Sequence, residues 1–112
     1  MPLVIRQRLV ATAAMLLLFA LSCATPSIAQ ETRGEALLGR HCAMCHAIGR
    51  SGTSPHHAAP PFRILGQRYP LESLEEALGE GLLTGHPDMP EFKFEPHQIG
   101  AIIRYLQSIQ ER

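Results

Sequence analysis

The stretch Cys42-Ala43-Met44-Cys45-His46 places two thiols and an imidazole within five consecutive residues. Cys-x-x-Cys-His is the attachment signature for covalently bound haem of the c type. On a helical turn, residues three and four apart lie on one face, so both thiols can reach the vinyl groups on one edge of a porphyrin. His46 follows at once and can bring a ring nitrogen under the iron. The motif therefore predicts one haem, bound through thioethers to Cys42 and Cys45 and ligated by His46.

Closely spaced cysteines also occur in three other kinds of site. A redox dithiol is expected next to a βαβ pattern, and no segment here shows convincing strand alternation. A zinc site would need a second ligand pair at a regular spacing, and His41, His56 and His57 do not supply one. A disulfide between Cys42 and Cys45 would close a very small loop and stabilise the chain little. Haem attachment is therefore the favoured interpretation.

The first 29 residues have the order of a secretory signal peptide. Arg6 and Arg8 give a positive start, residues 9–21 are almost wholly apolar, and Ser27-Ile28-Ala29 is a small-x-small cleavage site. We expect cleavage after Ala29, export to the periplasm, and one domain over residues 30–112.

Two alternatives for this leader involve the membrane. A retained anchor is disfavoured because a spanning helix needs about 20 apolar residues, so we expect no membrane span in the mature form. Ala20-Leu21-Ser22-Cys23 loosely resembles a lipoprotein cleavage box, and lipidation of Cys23 would tether the domain to a membrane.

The mature chain would be small and mildly acidic. Removing Arg6 and Arg8 from the ten basic residues leaves eight against ten acidic ones, a net charge of −2. Lys93 is its one lysine. Nucleic acid is therefore not expected as a partner, because phosphate binding needs a basic patch. A core of this size rarely supplies more than about 3–5 kcal/mol, so a bound macrocycle would help to fill the interior.

The second axial ligand of the iron is expected to be Met89. It follows His46 by 43 residues and lies between Pro87 and Pro90, which stiffen the loop. Met44 lies inside the attachment motif and cannot fold back over the opposite face of the haem. An ordinary core methionine that fills a gap is the alternative for Met89, and His86 is the rival ligand.

The sequence predicts an all-α domain with three main helices and long loops. The first helix opens at Thr32, where Glu35 completes a capping box, and ends near the motif. Residues 50–66, rich in glycine and proline, are expected to be loop, and the second helix starts at Pro70. The third starts near Glu95–Pro96 and runs to the end of the chain, with an apolar stripe at helical spacing made by Ile99, Ile102, Ile103, Leu106 and Ile109.

With these features the chain resembles the small monohaem class I cytochromes c of bacteria, over residues 32–110. The family has a glycine eight residues before the first haem cysteine, and Gly34 and Cys42 match that spacing. The resemblance implies that Gly34 packs against an aromatic residue of the last helix, which Tyr105 matches. Leu38 stands where the family usually carries an aromatic residue.

Further site residues follow from the same resemblance. In the family a loop proline accepts the ring N–H of the haem-ligating histidine through its carbonyl, and either Pro60 or Pro61 is similar in placement. Met89-Pro90-x-Phe92 resembles the loop of the axial methionine. Arg63, Arg68 and Tyr69 are candidates for contact with the haem propionates. The fold implied is the cytochrome c fold, wrapped around one covalently attached haem.

A haem with both axial positions filled can change oxidation state but does not readily bind a substrate. We therefore expect a single-electron carrier in a periplasmic respiratory or oxidative chain, not an enzyme. Thioether ligation raises the reduction potential of the iron. Transient redox partners and a monomeric state are expected. The alternatives are a haem subunit of a larger oxidoreductase and a sensor or peroxidase-like protein with an open axial site.

Overall fold

The computed structural model describes residues 26–81 and 87–112. These ranges contain three α-helices: α1 at Pro26–His41, α2 at Leu74–Glu80 and α3 at Pro96–Ile109. Two 3₁₀ helices, Phe62–Gln67 and Leu71–Ser73, precede α2. No strand occurs in the described ranges, and the expected all-α class is confirmed.

Some of the predicted features fall elsewhere in the chain. The apolar part of the signal peptide, with Arg6, Arg8 and Cys23, lies outside the described residues, as does His86. Within the described ranges, no helix is both long and apolar enough to cross a membrane.

The crossing of α1 over α3 depends on Gly34. A Cβ atom at this position would collide with the carbonyl oxygen of Ala101 and lie 2.8 Å from the Cβ of Tyr105. Only a glycine lets the two helix backbones approach this closely. The expected packing of Gly34 against Tyr105 is therefore present, and the Tyr105 hydroxyl also donates to the carbonyl of Ile48 at 3.1 Å.

Helix α3 matches its predicted start and its predicted buried face. Pro96 occupies the first turn, and the backbone N–H of Glu95 donates to Oε1 of Gln98 at 2.9 Å. The helix ends at Ile109, three residues before the end of the chain. Every member of the apolar stripe is buried, namely Ile99, Ile102, Ile103, Leu106 and Ile109. The rest of the core packs against this face and includes Leu37, Leu38, Phe62, Leu65, Leu71, Leu78 and Phe94.

The predicted start of the first helix is wrong. Helix α1 begins at Pro26, so Thr32 lies inside it and caps nothing. Its hydroxyl instead donates back to the carbonyl of Ile28 at 2.9 Å, as threonine does within a helix.

The middle of the chain is more regular than predicted. The expected loop over residues 50–66 ends in the 3₁₀ helix that begins at Phe62. Pro70 is extended and immediately precedes a single 3₁₀ turn, so α2 proper starts four residues later, at Leu74. Gly81 ends α2 with a φ of 116°, which favours glycine.

Candidate haem site

The attachment motif continues the helical path of α1. The N–H of Cys42 donates to the carbonyl of Leu38 at 2.8 Å. The carbonyl of Cys42 in turn accepts the N–H groups of Cys45 at 3.1 Å and His46 at 2.9 Å. This turn orders the two cysteines and the histidine as one unit at the end of α1. The interposed Met44 is turned outward, with 88% of its surface exposed.

Both cysteines are partly buried free thiols. Burial, helped by the neighbouring Cys45, raises the pKa of Cys42 to about 11. Cys42 is therefore an uncharged thiol at neutral pH. Within residues 26–81 and 87–112, no three side chains of His, Cys, Asp or Glu converge on a common point. The zinc, dithiol and disulfide alternatives thus gain no support from the described residues.

The imidazole of His46 is fixed by two contacts. Its Nδ1 lies 2.8 Å from the carbonyl oxygen of Pro60, and its ring centroid is 4.6 Å from that of Phe62. A carbonyl can only accept a hydrogen bond, so Nδ1 carries the proton. The neutral ring then keeps a lone pair on Nε2, which is the form that ligates a metal. Of the two candidate prolines, the structure selects Pro60.

The loop that carries Met89 lies close to the loop that follows the motif. The N–H of His56 donates to the carbonyl of Cys45 at 3.1 Å. His56 Nε2 lies 3.8 Å from Oδ2 of Asp88. Met89 is the next residue and is half-buried. His46 and Met89, which are 43 positions apart in sequence, are thereby brought to the same part of the fold.

Aromatic residues connect the same loop to the end of α1. The ring of His41 meets Phe92 edge-on at 5.8 Å and Phe94 at 5.3 Å between centroids. Phe94 is buried, and its N–H donates to the carbonyl of Leu78 at 2.8 Å. The sequence patterns did not predict the contact of His41 with Phe92 and Phe94. The position of His41 directly before Cys42 was the signal that could have indicated it.

The three candidate propionate contacts differ in their surroundings. The guanidinium of Arg63 donates to the carbonyl of Gly52 at 2.8 Å and to Oε1 of Glu111 at 2.7 Å. The guanidinium of Arg63 therefore already binds two groups of the protein, the Gly52 carbonyl and the Glu111 carboxylate. Arg68 and Tyr69 are exposed; partial burial nevertheless raises the pKa of Tyr69.

The residues of this site fit a covalently held haem. Two thiols lie one turn apart, and the imidazole beside them has its Nδ1 proton bound to a carbonyl. Apolar and aromatic side chains border the motif, among them Ile48, Phe62 and Phe92.

Comparison with known proteins agrees with this arrangement. A family model described as cytochrome C oxidase, cbb3-type, subunit III matches residues 29–106, which is more than half of the chain. The matched range includes the attachment motif, Met89 and most of both helices of the α1–α3 crossing. Neither a curated protein nor a solved structure matches the chain.

Proposed function

Because the chain belongs to the family described as cytochrome c oxidase, cbb3-type, subunit III, which has the cytochrome c fold, we propose that it carries single electrons on one covalent haem. The observation that carries the proposal is the hydrogen bond from His46 Nδ1 to the Pro60 carbonyl, which leaves Nε2 free for iron.

We propose that Cys42 and Cys45 hold the haem through thioether bonds. Their positions on one turn, shown by the hydrogen bond from Cys45 N–H to the Cys42 carbonyl, support this role. Covalent attachment would also compensate for the small core of the domain.

His46 and Met89 are the proposed axial ligands. His46 is supported by its fixed ring plane and tautomer. Met89 is supported by its placement next to Asp88, which lies beside the loop bonded to Cys45. When bound, the haem supplies a reversible one-electron couple, and thioether ligation favours its ferrous form. The residues of the chain contribute fixed ligand geometry and an apolar border, which disfavours the more highly charged ferric state.

The proposed setting is the periplasm, reached after signal-peptide cleavage behind Ala29. The order of charged, apolar and small residues in the leader supports this setting. The electron donor and acceptor would be proteins that meet the domain in brief encounters, which need only a small contact.

The family description raises the alternative of a permanent oxidase subunit. Such a subunit would be expected to carry a large apolar interface. In the described part of the chain that follows Ala29, the exposed large apolar side chains are Met44 and Tyr69, which belong to separate segments. This scatter favours a carrier, and a persistent complex on purification would favour the subunit.

The axial ligation is tested by comparing the exported haem protein with its Met89→Ala variant. The native protein should show a weak far-red absorption band in the ferric state and bind little CO when reduced. Met89→Ala should keep its haem, lose that band and bind CO readily. A native protein that binds CO as readily as the variant would contradict the proposed ligation and favour the open-site alternative.

A further inference from the structure

The side chain of Gln110 connects the end of α3 to the 3₁₀ helix Phe62–Gln67. Its Oε1 accepts the N–H of Gly66 at 2.7 Å. Its Nε2 donates to the carbonyl of Phe62 at 2.9 Å and to that of Leu106 at 2.7 Å. A carboxamide has two N–H donors, and both are used here. One side chain therefore binds backbone groups near both ends of the 3₁₀ helix.

Glu111 adds a second set of bonds to the same helix. Its N–H donates to the carbonyl of Arg63 at 2.8 Å, and its carboxylate accepts from Arg63 Nε at 2.7 Å. Arg63 in turn donates to the carbonyl of Gly52 at 2.8 Å. We call Gln110 and Glu111 together the C-terminal lock. The lock joins α3 to the 3₁₀ helix and, through Arg63, to the loop after the motif.

The segment held by the lock is also the one that holds His46. Phe62 presents its ring to the imidazole at 4.6 Å, and its N–H donates to the carbonyl of Ala47 at 2.9 Å. Two residues earlier, Pro60 accepts the imidazole proton. Backbone movement at Phe62 would therefore displace the ring and the carbonyl that orient His46.

We propose that Gln110 is a positioning residue for the haem ligand His46, acting through Phe62 and Pro60. The proposal rests on the proposed role of His46 as an axial ligand. A ring N–H bonded to a carbonyl makes the opposite nitrogen a more basic ligand, which favours ferric iron. Loosening this bond should make His46 a weaker donor and raise the reduction potential.

Gln107 offers a matched control on the same helix. It is exposed, and its Nε2 donates to Oε1 of Glu72 at 3.0 Å, away from the segment that holds His46. Gln107→Ala therefore removes an equivalent amide from α3 without touching the C-terminal lock. The comparison uses the full haem-containing protein and both alanine variants.

The experiment measures hydrogen exchange in the ferrous state by NMR, together with the reduction potential. In Gln110→Ala, exchange of the Phe62 N–H and the His46 Nδ1–H should accelerate about tenfold, the factor expected from losing roughly one net hydrogen bond of 1.4 kcal/mol. The Ile102 N–H, in the buried middle of α3, serves as the reference and should change much less. The potential should rise in Gln110→Ala and stay at the native value in Gln107→Ala.

The proposal is overturned if Gln110→Ala matches Gln107→Ala at Phe62 and His46, or if Ile102 accelerates equally. Equal acceleration would mean a general loss of stability. Gln110→Glu provides a second variant should the alanine variant fold poorly, because it keeps the acceptor for Gly66 and removes both donors. It should accelerate the same two sites. A native protein without haem, or with His46 unligated, would contradict the proposed function itself and is distinguishable from all these results.

Discussion

The two segments expected to face opposite sides of the haem contain no α-helix, and they are fixed by different contacts. Residues 60–67, the histidine segment, are held by hydrogen bonds of 2.7–2.9 Å to His46, Ala47 and the C-terminal lock. Residues 87–94 form the methionine segment. Among the described residues, this segment has a backbone bond from Phe94 to α2 and a 3.8 Å contact between the Asp88 carboxylate and His56. Because the Asp88 side chain is 73% exposed, water screens that pair.

This difference predicts an order of opening. Local openings begin where a segment has few buried contacts and solvent-exposed bonds. The methionine segment should therefore open before the histidine segment, so that Met89 leaves the iron while His46 stays bound. A firmly held histidine segment and a weakly held methionine segment would let the domain keep its haem while the Met89 ligand exchanges.

The largest effect is expected where both segments depend on the same support, the α1–α3 crossing. Gly34→Ala places a methyl group against the backbone of Ala101, which cannot move aside as a side chain can. We expect a loss of about 4 kcal/mol in the free energy of unfolding, above the usual range for overpacking. Guanidinium unfolding of the haem protein measures it, and both segments should be lost together.

Gly100→Ala is the matched control for this change. Gly100 lies in α3, and apart from its chain neighbours and the backbone of its own helix, no described atom lies within 4 Å of an added Cβ. Alanine there should stabilise the helix by about 0.5–1 kcal/mol. Equal effects at the two glycines would contradict the close approach of the helix backbones at Gly34.

The next effect compares one phenylalanine from each segment. Phe62→Ala empties a buried site beside His46 and should cost about 3 kcal/mol of unfolding free energy. Phe92→Ala removes a half-buried ring that touches His41 and should cost about 1 kcal/mol. Thermal unfolding of the two variants provides the measurement. A larger loss of unfolding free energy in Phe92→Ala than in Phe62→Ala would contradict the stronger support of the histidine segment.

A smaller effect is expected from the contact between Asp88 and His56 in the methionine segment. Asp88→Asn removes the carboxylate near His56 and should ease opening of this segment by about 0.5 kcal/mol. The far-red band should then disappear at a lower guanidinium concentration, while helix unfolding followed by circular dichroism stays unchanged. Glu91→Gln, which changes another exposed carboxylate of the segment, should move neither signal. Loss of both signals at one concentration in the native protein would contradict the predicted order of opening.

A pH-dependent effect concerns Cys42 in the haem-free chain. Because burial raises its pKa from 9.0 to about 11, the folded chain keeps this proton longer than the unfolded chain does. The stabilisation is fully present below pH 9 and is lost as the pH rises towards 11. Alkylation of Cys42, followed by peptide mass spectrometry, should accelerate over that interval. The haem protein should not react there, since the thiol is consumed by the thioether; reaction at Cys42 would argue against attachment.

Local patterns in the sequence predicted part of this fold well. The five-residue motif, the apolar stripe of α3 and the start of that helix at Pro96 each depend on neighbours within a turn or two. The contact of Gly34 with Tyr105 was predicted from the resemblance to a family in which a glycine lies eight residues before the first haem cysteine. The same local rules failed at Thr32, because its capping signal is also compatible with the interior of a longer helix.

Contacts between distant residues were not predictable from these patterns. The selection of Pro60 over Pro61 depends on the path of the whole loop back to His46. The 3₁₀ helix at Phe62–Gln67 exchanges hydrogen bonds with Gln110 and Glu111, residues 44–48 positions further along the chain. No short-range periodicity encodes such a partner, so the C-terminal lock was visible only in the folded chain.

The central claim, that Cys42, Cys45 and His46 bind one haem covalently, is tested most directly by intact mass under denaturing conditions. The protein should be produced with export and a haem-attachment system, beside a variant with both cysteines changed to alanine. The native chain should carry the added mass of one haem that denaturation does not release, and the variant should carry none. A native protein that is exported and folded, yet colourless and of unmodified mass, would contradict the account.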